Sequence, residues 1–97
     1  MKTLRLNGEN NKLYFKNYEN RPDEEEFREV ISILKSAGCI IGKRTTAADF
    51  DVYECRYNDM SFTVYYDISG DYGTSLCAED ENTISQLEMI FNIKIDA

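Results

Sequence analysis

The chain has 97 residues, 42% of them hydrophobic, enough for one compact core and too few for two. Eighteen Asp and Glu against eleven Lys and Arg give a net charge of -7, which sets the molecule against nucleic-acid phosphate and anionic membrane and favours basic partners. With no histidine, imidazole bases, Ser-His and Cys-His nucleophile pairs and the commonest metal ligand are all excluded.

Leu4 and Leu6, then Leu13 and Phe15, alternate with polar residues on either side of the turn-forming run Asn7-Gly8-Glu9-Asn10-Asn11, and predict an opening hairpin. This start turns polar after two leucines and lacks the apolar stretch of a signal peptide, so a cytoplasmic, reduced chain is expected. Pro22 followed by Asp23, Glu24, Glu25 and Glu26 predicts the first turn of a helix, where the missing proline N–H costs nothing and carboxylates meet the positive end of the dipole. Phe27, Val30, Ile31, Leu34 and Ala37 then form one apolar stripe, and Gly38 stands where a left-handed C-terminal cap is wanted. A short β-branched run follows from Cys39 to Arg44, and the small residues at 45–49 suggest a loop.

Residues 50–57 and 60–68 flank Asn58-Asp59, and a two-residue turn there predicts a second hairpin. Its register sets Tyr57 opposite Met60, Cys55 opposite Phe62, Tyr53 opposite Val64 and Asp51 opposite Tyr66 on a nearly continuous apolar face. The other face pairs Arg56 with Ser61, Glu54 with Thr63, Val52 with Tyr65 and Phe50 with Asp67. A tight turn at Ser69-Gly70 would lead into a strand over 74–78 and bring Cys77 opposite Phe62. Asp80 suits the N-cap of a second helix carrying Ile84, Leu87, Ile90 and Phe91 on one side, and Ile93 and Ile95 alternate as in a short edge strand. The sum is a single α+β domain over residues 1–97: an antiparallel sheet of four to six strands with two amphipathic helices packed on one face.

Charge is unevenly divided. Residues 1–48 carry nine basic and seven acidic side chains, net +2, whereas residues 49–97 carry two basic and eleven acidic, net -9. Part of this excess serves the dipole of the last helix through Glu79-Asp80-Glu81. The rest, with Tyr65 and Val52 on the sheet face away from the helices and Tyr72 on a loop, has the composition of a protein interface, in which aromatics anchor and charges orient. The expected contact residues are Asp49, Glu54, Tyr65, Asp67, Asp71, Tyr72 and Asp80.

Other chemistry fits poorly. The carboxylates of Asp49-x-Asp51 and Asp67 to Asp71 lack the alternating oxygens and distant glutamate of a calcium loop, so neither metal nor cofactor is expected. Paired carboxylates could hydrolyse a glycoside only across a cleft, which so small a domain seldom encloses. Cys55 and Cys77 flanking Phe62 would lie about 9 to 10 Å apart, too far for a disulfide, and buried, inert thiols are expected. Gly38, Gly42 and Lys43 lack the spacing of a phosphate loop.

A small histidine-free α+β domain with carboxylate-rich segments from Asp49 to Asp71 and Glu79 to Glu81 resembles the acidic immunity proteins of bacterial toxin systems, such as those of contact-dependent growth inhibition. The resemblance covers the whole chain in character and has no diagnostic motif. It implies a non-enzymatic inhibitor in a one-to-one complex with a cationic toxin domain, often a nuclease, whose substrate cleft is blocked by polyanion mimicry. Two alternatives stay open: a regulatory or adaptor module for another endogenous protein, and a small carboxylate- or cysteine-dependent enzyme. A toxin gene immediately upstream separates the first from immunity, and a deep pocket with convergent Asp or Cys side chains would mark the second.

Overall fold

The computed structural model describes residues 2–16, 22–68 and 73–96, and its sheet is organised around the hairpin at Asn58-Asp59. β4 (Phe50–Tyr57) and β5 (Met60–Asp67) pair from Tyr57 opposite Met60 to Phe50 opposite Asp67, the register that a two-residue turn dictates. Asn58 takes φ 56°, a left-handed conformation that asparagine tolerates better than most residues. β3 (Ile40–Ala47) joins β4 through a second two-residue turn, with Ala48 at φ 42°. Residues 45–47, expected as loop, therefore belong to a strand. Thr45 and Thr46 are β-branched and pair with Val52 and Asp51, and the Thr46 hydroxyl donates to Asp51 Oδ1 at 2.9 Å. The β3 ladder slips between Ile41 and Arg44, and there Gly42 lies so close to the Glu54 carbonyl oxygen that a Cβ would collide with it.

On the other side of β5 lies β6 (Thr74–Ala78), with Phe62 opposite Ala78 and Val64 opposite Leu76. The Asp67 N–H donates to the Gly73 carbonyl at 2.8 Å, so five residues separate the last paired positions where a Ser69-Gly70 turn would leave two; Ser69 and Gly70 themselves lie outside the described residues. Changing the link from even to odd length moves the register by one, and one residue of slip reverses every side chain. Cys77 consequently faces Thr63, not Phe62, on the side of the sheet away from the core. The opening hairpin forms as expected from β1 (Lys2–Leu4) and β2 (Lys12–Lys16), and β2 pairs with β6. The six strands run β1-β2-β6-β5-β4-β3, each antiparallel to its neighbours.

α1 (Asp23–Ser36) starts behind Pro22, whose carbonyl accepts from the Glu25 and Glu26 N–H groups. It ends in a Schellman cap: Gly38 takes φ 94°, its N–H reaches the Lys35 carbonyl, and the Cys39 N–H reaches that of Leu34. Asp80 caps α2 (Glu81–Asp96). This helix runs through Ile93 and Ile95, the expected edge strand. No glycine or proline interrupts the chain after Asp80, and extending an established helix is far cheaper than nucleating a new element. Both helices lie on one face of the sheet, where Phe15 meets Phe91 edge-on at 4.8 Å and Phe27 meets Tyr66 at 4.8 Å. Leu13, Val30, Leu34, Val64, Leu76, Ile84, Leu87 and Phe91 are fully buried between these layers, each worth about 1.5–3 kcal/mol if large. The 12.4 Å radius of gyration matches the roughly 12.5 Å of a single compact unit of this length. Among the described residues no helix is long and apolar enough to cross a membrane.

Candidate functional site: the uncovered face of the sheet

Strand alternation sends every second side chain away from the helices, and register groups these into rows. One row runs Tyr14, Ser75, Tyr65, Val52 and Thr45 across five strands. The next runs Lys12, Cys77, Thr63 and Glu54. Beyond it stand Ser61, Arg56 and Ile40. Among the described residues no helix or strand packs over this face, so its half-buried aromatics are covered only by one another and by the loop after β1.

Two concavities border it. The larger, about 990 Å³, wraps the end of the sheet where the β4–β5 turn meets the β6–α2 link: Glu54, Asp59, Glu79 and Asp80 line it together with Cys55, Phe62 and Ala78 of the core face and Thr83 of α2, and among the described residues Arg56 is the only cation in its wall. Glu54 projects from β4, Asp59 from the β4–β5 turn, and Glu79 and Asp80 from the link between β6 and α2. They meet because β6 runs antiparallel to β5, which returns its end to the turn where β5 begins. Asp80 Oδ1 accepts the Thr83 N–H at 2.8 Å and the Thr83 hydroxyl at 2.9 Å, and these donors hold its carboxyl below the ordinary value. Its charge therefore persists to lower pH than that of an ordinary aspartate. The smaller concavity, about 520 Å³, has Leu6, Tyr14, Phe50 and Tyr65 in its wall, with Glu9, Lys12, Ser75 and Cys77. Phe50 meets Tyr65 edge-on at 6.1 Å, and the Tyr14 hydroxyl donates to Glu9 Oε2 at 3.1 Å. Cys77 lines both hollows.

The expected contact residues fall into four groups. Glu54 and Asp80 share the acidic concavity, and Tyr65 lies in the aromatic one. Asp49 is exposed in the β3–β4 turn, at the opposite end of β4 from Asp59. Asp67 pairs with Phe50 but is only 2% exposed, which withdraws it from any surface a partner could touch. Asp71 and Tyr72 lie outside the described residues. Asp59 and Glu79 were not among the expected residues, although the Asn58-Asp59 turn together with a β5–β6 hairpin already implies their proximity. Tyr14 carried no such signal, because nothing local in the sequence pairs β2 with β6.

The acidic half is partly answered by the basic half. Arg5 reaches Glu81 at 3.4 Å, Glu88 at 3.3 Å and the Ser85 hydroxyl at 3.1 Å, and Arg44 approaches Asp51 at 3.9 Å. Glu54, Asp59 and Glu79 have no ion-pair partner among the described residues. All three line the larger concavity.

Cys39 and Cys55 lie under the helices. Burial, with Cys55 beside it, pushes the Cys39 thiol up to about 11, and burial raises Cys55 as well. Among the described residues no three Cys, Asp or Glu side chains gather as a metal site. No protein-family model, curated protein or solved structure matches the chain.

Proposed function

We propose that this protein is a non-enzymatic inhibitor of the immunity type, which binds a cationic protein through the uncovered face of its sheet and blocks a nuclease-like toxin domain by occupying its phosphate-binding cleft. One observation carries the reading: among the described residues four carboxylates against one guanidinium line a broad, open concavity beside half-buried aromatics. A lysine- or arginine-rich cleft evolved for phosphate would meet Glu54, Asp59, Glu79 and Asp80 in place of its substrate, and the same charges repel acidic partners. Tyr65 and Phe50 supply the apolar contact that holds the complex once formed.

An affinity capture from the source cell at low and high salt tests the reading. The expected result is one basic protein held at low salt, released at high salt, and encoded next to this chain. Capture of an acidic protein, or of a basic one indifferent to salt and to Glu54→Gln with Asp59→Asn, overturns it.

A further inference from the structure

We infer that the smaller concavity is an aromatic cage for a small solute carrying a quaternary ammonium group. Register brings its rings together: Tyr14 and Tyr65 both pair with Ser75, from either side of β6. They stand on one face two strand spacings apart, about 9.6 Å, with only a small side chain on the strand between them. A charge midway lies about 4.8 Å from each, inside the roughly 6 Å over which a cation is attracted to an aromatic ring. Phe50 lines the same hollow, and its ring stands at 86° to that of Tyr65 with centroids 6.1 Å apart, so the two planes form a corner that one cation can share. The hollow takes about 520 Å³, inside the usual small-ligand range of about 300–1,000 Å³. Its one carboxylate among the described residues, Glu9, is engaged by the Tyr14 hydroxyl at 3.1 Å and by Lys12 at 3.9 Å. A primary ammonium, with three N–H donors, would leave water here without acceptors enough to satisfy them, whereas a quaternary ammonium has no N–H to satisfy. The sign of the guest follows from the net charge of -7 and from the carboxylates of the larger concavity, which shares Cys77 with this one. Those carboxylates repel the phosphate that accompanies choline in a lipid headgroup, which leaves a free solute as the occupant. The inference stands apart from the inhibitor reading, which rests on the larger concavity, and either can fail alone.

Three probes titrated into nitrogen-15-labelled protein test the assignment: choline, its neutral isostere neohexanol, in which carbon replaces the nitrogen, and ethanolamine. Choline should bind about tenfold more tightly than either, with shifts centred on the amides of Tyr14, Tyr65 and Ser75. Among the described residues Lys12 is the one cation in the wall and opposes the guest. Lys12→Gln should therefore tighten choline about threefold and leave neohexanol unchanged, while Phe50→Leu should bring choline towards neohexanol. The comparison of probes on the parent protein decides the matter even where a variant does not fold. Equal binding of choline and neohexanol marks a plain apolar hollow and overturns the inference. Equal binding of ethanolamine marks an ordinary carboxylate site and overturns it as well. Absence of any shift with choline at millimolar concentration does the same. Flotation of the protein with phosphatidylcholine vesicles, without binding of free choline, assigns the cage to a lipid headgroup and overturns the free solute.

Discussion

Cys39 and Cys55 sit in the core at 7% and 3% exposure, whereas Cys77 is half-buried on the open face. Only the thiolate reacts, and a thiol held at about 11 is ionised in roughly one molecule in a thousand at pH 8. Titration of the native protein with a chromogenic disulfide should therefore modify one thiol per chain promptly, with the other two following only in denaturant. Prompt loss of two or three thiols would mean that the β4 and β3 ends of the core open readily. Gly42 makes a second residue-scale case. Gly42→Ala forces a methyl into the Glu54 carbonyl, which belongs to backbone and cannot rotate away. The β3–β4 ladder must shift, at a cost of about 1–3 kcal/mol, seen as a fall in the urea midpoint with unchanged slope. An unaltered midpoint would show that the bulge relaxes freely. Gly42 lacks the spacing of a phosphate loop, and its role depends on a neighbour in the next strand, which local pattern does not reveal.

At the scale of elements, legibility followed sequence distance. The Asn58-Asp59 hairpin, the α1 stripe with its Gly38 cap and the Asp80 start of α2 are each set by contacts within a few residues, and each formed as expected. The β5–β6 register missed by one because link length, not pattern, decides it, and that single step carried Cys77 from the core face to the uncovered face. The closing isoleucines misled because two alternating residues are too short a pattern to outweigh a helix already under way. The same distance rule divides the candidate site: Glu54 and Tyr65 were legible from one hairpin, while Tyr14 needed the long-range pairing of β2 with β6. The cap on α2 also gives a pH dependence. Asp80 is held below its ordinary pKa by Thr83, so it favours the folded state above its unfolded value, and that contribution fades as pH falls through the folded one. Asp80→Asn keeps a capping oxygen and loses the titration. Between about pH 5 and pH 2 the variant's urea midpoint should fall less steeply than that of the parent. Parallel slopes would remove Asp80 from the acid limb.

For the whole molecule the question is whether total charge or its local arrangement would steer a partner. Arg5 and Arg44 already answer Glu81, Glu88 and Asp51, so the lopsided composition of the chain overstates the field that a visitor meets. Of the acids that are left, Glu54, Asp59 and Glu79 stand beside Asp80 around the larger concavity. Salt near physiological strength screens exposed charges beyond about 8 Å, and the molecule measures 30 × 29 × 29 Å. Acids on α1, across the sheet, should then be nearly invisible to a partner on the open face. Two double variants separate the cases, because each moves the net charge from -7 to -5. Glu54→Gln with Asp59→Asn should slow association with a cationic partner by about tenfold at low salt and flatten its salt dependence. Glu24→Gln with Glu25→Gln, on exposed positions of α1, should leave both nearly unchanged at physiological salt. Stopped-flow association rates over a salt series provide the measurement. Equal slowing by the two pairs would mean that net charge alone governs encounter and that the carboxylates around the larger concavity have no special part in it.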